Sequence, residues 1–594
     1  MIQESSVKLQ RRISVHNMLS TNSRAASSVQ THKSRGYKYA SDWETYTFPD
    51  FGGHFSNDED IERIFQKTDI MSFNNKACGI PLLVKGKSAW VNNFDEHTLI
   101  VSESGAKKTR CVINPLIHSC IRSGDSFIAM DVKGELCANP KTQKALMDGN
   151  YTPVFLDYRS FDKDGYSLLQ YPTELYLNGF KDKAMQQIRS TVYSWHSDYQ
   201  GSSADPFWGL MSTDDITGVI ELLMRICMEH HDYIKYVNLM SVASFCNDTV
   251  ADSIEQILKN NYTHVTHPAI EKLLGVYCCP EKTRMSILAT SKSVIGSFVD
   301  FESLTKMHSV STFDIRKMYE RPMAIFMIIP DESSAFSSLG GCVIDSMYQQ
   351  LIDTYKENYQ DKGKEAPHSI HWICDEFCNL KINDMGAKIS ASRSRSMRWY
   401  LVAQSLKQME AVYSKKKESD TIIGNCKNIF FLQSPDPELQ NYISKLAGKT
   451  TISSNPEGEP LLPVEALKKL KKTREYKEAI FLRDNLVYKA TLPDIDTYPY
   501  ESIEVGRYQY GIKRLPSVEA YTARRFCYEL ENGTIHLPFL YQPESSESTV
   551  INNIKMKKKK RSVKNDRPVA DDIQTELEKK FDELFGALED EEDE

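Results

Sequence analysis

No stretch of this chain approaches the roughly 18 to 20 consecutive apolar residues that a membrane-crossing helix requires. The longest apolar runs, such as Ala324–Ile329, have the length of a strand. A C-x-x-C pair is also missing. The 13 cysteines are scattered and odd in number, which argues for reduced thiols in a cytoplasm rather than a disulfide framework or a zinc site. From Met1 to about Arg35 the chain is rich in Ser, Arg and Gln but lacks the apolar centre of a secretory signal. This segment reads as a flexible tail or as a docking segment for a membrane partner. Global positive charge is absent too: the net charge is −7, so any contact with nucleic acid has to be local. What is present is the composition of a soluble globular protein, 41% hydrophobic and 26% charged over 594 residues, long enough for about two to four domains.

Two stretches carry chemistry. In His371-Trp-Ile-Cys-Asp375-Glu376-Phe-Cys-Asn-Leu380 a short apolar run ends in adjacent carboxylates. At the tip of a buried parallel strand, Asp375 would hold the water shell of Mg²⁺ and Glu376 would polarise an attacking water. An ordinary strand end has the same pattern. Upstream, the apolar run Thr98–Val101 enters Ser102-Glu-Ser104-Gly105-Ala106-Lys107-Lys108-Thr109-Arg110, followed by a helix-compatible run. This is the strand–loop–helix layout in which backbone N–H groups cradle phosphates, a lysine reaches the β and γ oxygens and a hydroxyl ligates Mg²⁺. Both consensus glycines of G-x-x-x-x-G-K-[ST] are gone, however: Ser102 and Lys107 stand in their places. Glycine lets a backbone approach phosphate closely, and Glu103 adds a repulsive charge, so a plain Ser/Gly turn with two lysines remains open.

Ser126–Met130 is a further buried-strand candidate and ends in Asp131-Val-Lys-Gly-Glu135. From about Tyr176 to Ser297 the period changes to three and four residues, as in Ile216, Val219, Ile220 and Leu223, so a helical insertion separates the two motifs. His230–His231 and His264/His267 lie in or near it, without the Cys or carboxylate spacing of a metal site. Strands resume at Met323–Ile329, a helix follows over about 340–357, and Trp399–Ala403 runs into Gln404.

In order, Lys108–Thr109, Asn114–Pro115, Gly124–Asp125–Ser126, the Asp131–Glu135 turn, Asp375–Glu376, Arg393 with Gln404, and Leu461–Leu467 resemble the type IV coupling proteins. These are the TraG/TraD-like ATPases of conjugation and type IV secretion, and the likeness covers roughly residues 80 to 495. It implies an α/β fold: a RecA-like P-loop domain with a predominantly parallel sheet, interrupted by an all-α domain. It also implies an ATPase, with ATP and Mg²⁺ as cofactors, that delivers relaxase-bound single-stranded DNA or protein cargo to a secretion channel at the inner face of the membrane.

By the same resemblance, Ser104, Gly105, Ala106, Lys107, Lys108, Thr109 and Arg110 bind nucleotide, and Thr109 and Asp375 manage the metal. Glu376 activates water and Gln404 senses the γ-phosphate. Arg393, eleven residues earlier, acts as an arginine finger on the neighbour's nucleotide in a ring, expected to be a hexamer. Without the resemblance, Arg393 and Arg395 read as a solvated basic loop. Expected segments are a tail (1–36), a first nucleotide-binding part (37–175, opening on an irregular lead-in to about Gln66), the all-α insertion (176–300), a second nucleotide-binding part (301–500), an extension (501–548) and a charged tail (549–594). The tail carries a basic block and then an acidic one in which Ile573, Leu577, Phe581 and Leu584 share a helical face. That suits a docking segment for cargo, or a solubilising tail. The family's N-terminal membrane helices are missing, so a cytoplasmic protein is expected, with any membrane attachment through a partner. Two rivals stay open: a nucleotide-free docking scaffold on the same fold, and a different ring ATPase pumping double-stranded DNA.

Overall fold

The computed structural model describes residues 55–196, 206–262, 267–330, 334–414, 417–452, 455–504 and 513–535. The N-terminal tail (1–36) and the charged tail (549–594) of the sequence reading lie outside these residues.

In chain order the strands are β1 (Phe55–Ser56), β2 (Gln66–Asp69), β3 (Pro81–Lys85), β4 (Ser88–Val91), β5 (Thr98–Ser102), β6 (Ser126–Met130), β7 (Thr152–Asp157) and β8 (Met323–Ile328). They continue with β9 (Ile370–Cys374), β10 (Met397–Ala403), β11 (Asn428–Gln433), the hairpin β12 (Lys449–Ile452) and β13 (Asn455–Pro460), β14 (Tyr476–Arg483) and β15 (Leu486–Pro493). Ten of them form one sheet in the order β1-β15-β14-β11-β5-β10-β9-β6-β8-β7. From β11 to β7 every pairing is parallel; β14 runs antiparallel to both its neighbours.

Strands β5, β6, β8, β9 and β10 of this parallel part are buried end to end, which is why they read as apolar runs rather than alternations. One face (Ile100, Phe127, Ala129, Phe326, Ile373, Tyr400) packs with Val112, Leu116, Ile117 and Leu146 of the helices after β5 and β6. The other (Leu99, Val101, Met130, Trp372, Trp399, Leu401) packs with Val343, Ile344, Met347 and Leu351 of the long helix Ser334–Asn358. That second core runs on without a break into a helical block.

The block lies between β7 and β8, which are adjacent strands, so a large insertion leaves the sheet and returns to its edge. It includes Lys181–Trp195, Pro206–Glu229, Pro268–Tyr277 and Glu281–Val299. A late helix, Ala523–Glu531, folds back onto it. Tyr521 and Ala523 donate their backbone N–H groups to Ser241 Oγ and Ser244 Oγ, and Phe526 packs on Phe245.

Two parts of the sequence reading are corrected. The segment to Gln66 is not irregular over its described residues: Asp58–Ile64 is a helix closed by a reciprocal Asn57/Asp60 capping box. β1 exists because β15, more than 400 residues later, offers its edge. Neither Asn-x-x-Asp nor a two-residue strand announces itself in sequence. The expected extension (501–548), to which the sequence reading assigned no element, carries over its described residues the Ala523–Glu531 helix, capped by Thr522.

Candidate nucleotide-binding site

The carboxyl ends of β5, β9 and β10 lie side by side because these strands are consecutive in the sheet. The chain enters the sheet centre at β5, leaves by the helix Asn114–Ser123 and re-enters at β6, with β10 and β9 between the two. That crossing opens a crevice at the strand ends, where open parallel sheets bind ligands. Residues 102–109 border it from β5, Asp375 and Glu376 from β9, and Gln404 from β10.

Within the crevice the side chains interlock. Thr109 Oγ1 donates to Asp375 Oδ2 at 2.9 Å. Lys108 Nζ lies 3.8 Å from Asp375 Oδ1 and forms a short ion pair with Glu376 Oε1. Gln404 Nε2 donates to Glu376 Oε2 at 2.7 Å. Glu376 is left-handed, at φ 66°, which turns its side chain out of the strand direction. Burial raises the Asp375 carboxyl above the usual carboxylate range, against the lowering by Lys108 and Thr109, and the charges of Glu376 and Asp131 add to the rise. Asp375 Oδ1 is buried with no hydrogen-bond partner among the described residues. A hard divalent cation held by oxygen donors fits there: Asp375 offers an open lone pair beside the Thr109 hydroxyl.

The loop explains its own missing glycines. Ser102, at the first consensus position, is a buried strand residue and takes no positive φ. Lys107, at the second, is left-handed at φ 67°, as is Gly105 at φ 77°. The conformation that favours glycine is therefore kept with a lysine in it, at roughly 1–2 kcal/mol. An anchor outside the loop offsets that cost. Lys107 Nζ bonds Asp494 Oδ2 at 2.7 Å and the Arg474 carbonyl at 2.7 Å. Arg110 forks onto the same carboxylate, with Nε to Oδ2 at 2.9 Å and Nη2 to Oδ1 at 2.5 Å. Burial opposes ionisation of Asp494, but Arg110 and Lys107 outweigh it and hold the carboxyl at about 2. Lys472 closes the loop from the other side, donating to the Gly105 carbonyl at 2.6 Å.

The expected site residues thus divide. Lys108, Thr109, Asp375, Glu376 and Gln404 meet. Ser104 and Gly105 are exposed at the loop tip and Ala106 is buried beneath it. Lys107 and Arg110 face Asp494 rather than the crevice. Arg393 stands apart, exposed in a turn before β10. The length of β10, roughly 20 Å, separates it from Gln404. Sequence reasoning missed Asp494 and Lys472, which touch the loop from more than 360 positions away and carry no local signal. It also left unassigned Asp131, buried at the end of β6, which accepts the Cys137 N–H at 2.9 Å; burial raises its carboxyl.

Several known proteins are similar to this chain. Among solved structures, the plasmid coupling protein TrwB in complex with the non-hydrolysable ATP analogue ADPNP superposes with a TM-score of 0.54 at 12% identity, over 78% of this chain and 97% of that one. The bacterial conjugative coupling protein TrwBdeltaN70 in complex with sulphate gives 0.52 at 13%, again over 78% and 97%. At such identities the likeness is one of fold: a RecA-like α/β domain interrupted by helices. The conjugal transfer protein TraG of Escherichia coli is 24% identical over 206 residues, 32% of this chain and 31% of the relative's own length. The family model for type IV secretory system conjugative DNA transfer matches residues 56–479. With that match over most of its length, the chain belongs to the conjugative DNA transfer family of type IV secretory systems.

Proposed function

We propose that this chain is the coupling ATPase of a type IV secretion or conjugation apparatus. The observation that carries the reading is the meeting of Lys108, Thr109, Asp375, Glu376 and Gln404 at the ends of three adjacent strands. Lys108 would grip the β and γ phosphates, and Thr109 with Asp375 would hold Mg²⁺. When bound, the ion neutralises charge developing on the phosphates. Glu376 is clasped by Lys108 and Gln404. When phosphate draws the ammonium away, one carboxylate oxygen is freed to take a proton from water, while Gln404 keeps the other oriented. Arg393, too far from its own chain's site, would serve a neighbour's in a ring, here taken as a hexamer. Single-stranded DNA carrying a relaxase, or protein cargo, would be the freight. The acidic part of residues 549–594 would dock it, and channel proteins at the inner face of the membrane would receive it. No helix among the described residues is long and apolar enough to cross a membrane; attachment through a partner is part of the proposal.

A nucleotide-free docking scaffold is the rival, and the diversion of Lys107 and Arg110 to Asp494 favours it. Mg·ATP binding and hydrolysis, with and without single-stranded DNA, separate the two. Turnover stimulated by DNA, and lost in both Lys108→Ala and Glu376→Gln, is the expected result. Failure to bind ATP near millimolar concentration, with DNA present and at ring-forming protein concentration, would leave the scaffold as the better account.

A further inference from the structure

Away from the nucleotide crevice, near the amino end of β9, three side chains from distant parts of the chain converge. Cys78 precedes β3, Cys120 lies on the helix Asn114–Ser123 and His371 is the second residue of β9. All three are buried, at 1%, 0% and 0% exposure, and their donor atoms lie within 4.8 Å of one another. The two sulfurs are 3.4 Å apart, close to the roughly 3.8 Å spanned by two thiolates 2.3 Å from a tetrahedral zinc.

His371 decides what the cluster is for. Its Nε2 meets Asp125 Oδ2 at 3.0 Å, while Nδ1 is fully buried without a hydrogen-bond partner among the described residues. A carboxylate on one ring nitrogen and a free lone pair on the other is how metal-binding imidazoles are oriented. Asp125 is itself fixed by accepting the Ser369 N–H at 3.0 Å. We propose that Cys78, Cys120 and His371 form a structural zinc site, with Asp125 holding the imidazole. Two thiolates and a neutral imidazole balance the ion's charge and fill three of its four tetrahedral positions, the fourth falling to a water. The ion ties the loop between β2 and β3 to the helix Asn114–Ser123 and to β9, the strand that leads into Asp375. The spacings, 42 and 251 positions, hide the set from any motif search, and the sequence reading argued against zinc for that reason.

The full-length protein, reduced and dialysed against EDTA, is titrated with Co²⁺ and then Zn²⁺. One equivalent of Co²⁺ should give thiolate-to-cobalt charge-transfer bands that Zn²⁺ displaces, and Zn²⁺ should raise the Tm. Asp125→Asn keeps all three ligands but loosens the imidazole, so its affinity for Co²⁺ should fall about 10- to 100-fold; unchanged affinity would count against His371 as a ligand. Absence of the bands in folded parent protein would overturn the proposal. So would bands that survive in a Cys78→Ser/Cys120→Ser protein whose circular dichroism matches the parent's.

Discussion

Asp494 holds the loop between β5 and Thr109 in shape, and its replacement by Asn tests whether that anchor takes the place of the lost glycine. The carboxylate accepts one bond from Lys107 and two from Arg110. Charged hydrogen bonds contribute about 1.5–3 kcal/mol each when buried. Here the Asp494 side chain is fully covered, but Arg110 is 47% exposed, so a combined loss of about 2 kcal/mol is the reasonable figure. That is comparable to the roughly 1–2 kcal/mol cost of holding Lys107 left-handed. Without the anchor the loop should leave this conformation for most of the time. Affinity for an ATP analogue, followed by fluorescence titration, should then fall by up to about 30-fold. Lys107→Gly supplies the decisive control. Glycine adopts positive φ without strain, so Lys107→Gly should bind nucleotide about as well as the parent and should also make Asp494→Asn far less harmful. The double variant should therefore lose much less than the sum of the single losses. If Asp494→Asn binds within about twofold of the parent, or if the two losses simply add, the anchor reasoning is wrong.

The position of Arg393 predicts complementation: Arg393→Ala and Lys108→Ala proteins, each inactive alone, should regain part of the ATPase activity when mixed, and an inactive mixture would argue against action between subunits. Asp494 also links stability to pH. Its folded value of about 2 lies below the ordinary 3.8, so its contribution, about 1–2 kcal/mol, is present above the ordinary carboxylate range and lost as pH falls toward 2. Urea midpoints measured across that window should drop less steeply in Asp494→Asn, and equal slopes would refute the linkage. Trp372 and Trp399 stack at 4.6 Å between centroids, both fully buried on adjacent strands. Trp372→Ala should cost about 3–5 kcal/mol and lower the denaturation midpoint; a midpoint unchanged from the parent would remove that stack from the account of the core.

How far the sequence reached depended on how local each feature is. The buried strands declared themselves because parallel strands covered on both faces are largely apolar: Ser126–Met130 reads the same in sequence and structure. The insertion was legible from its three-and-four periodicity. Asp375–Glu376 and Gln404 were legible because each follows such a strand directly, and Lys108–Thr109 because the short loop after β5 ends in them. Tertiary structure decided the rest. Strand order put those three ends next to one another. The contact with Asp494 showed how a lysine occupies a glycine's conformation, an effect of residues nearly 400 positions apart. Cys78, Cys120 and His371 were unremarkable in sequence because a ligand set is defined by distance in space. Sequence records local pattern, whereas the balance of strain against a distant ion pair, and the meeting of three donors, exist only once the chain has closed on itself.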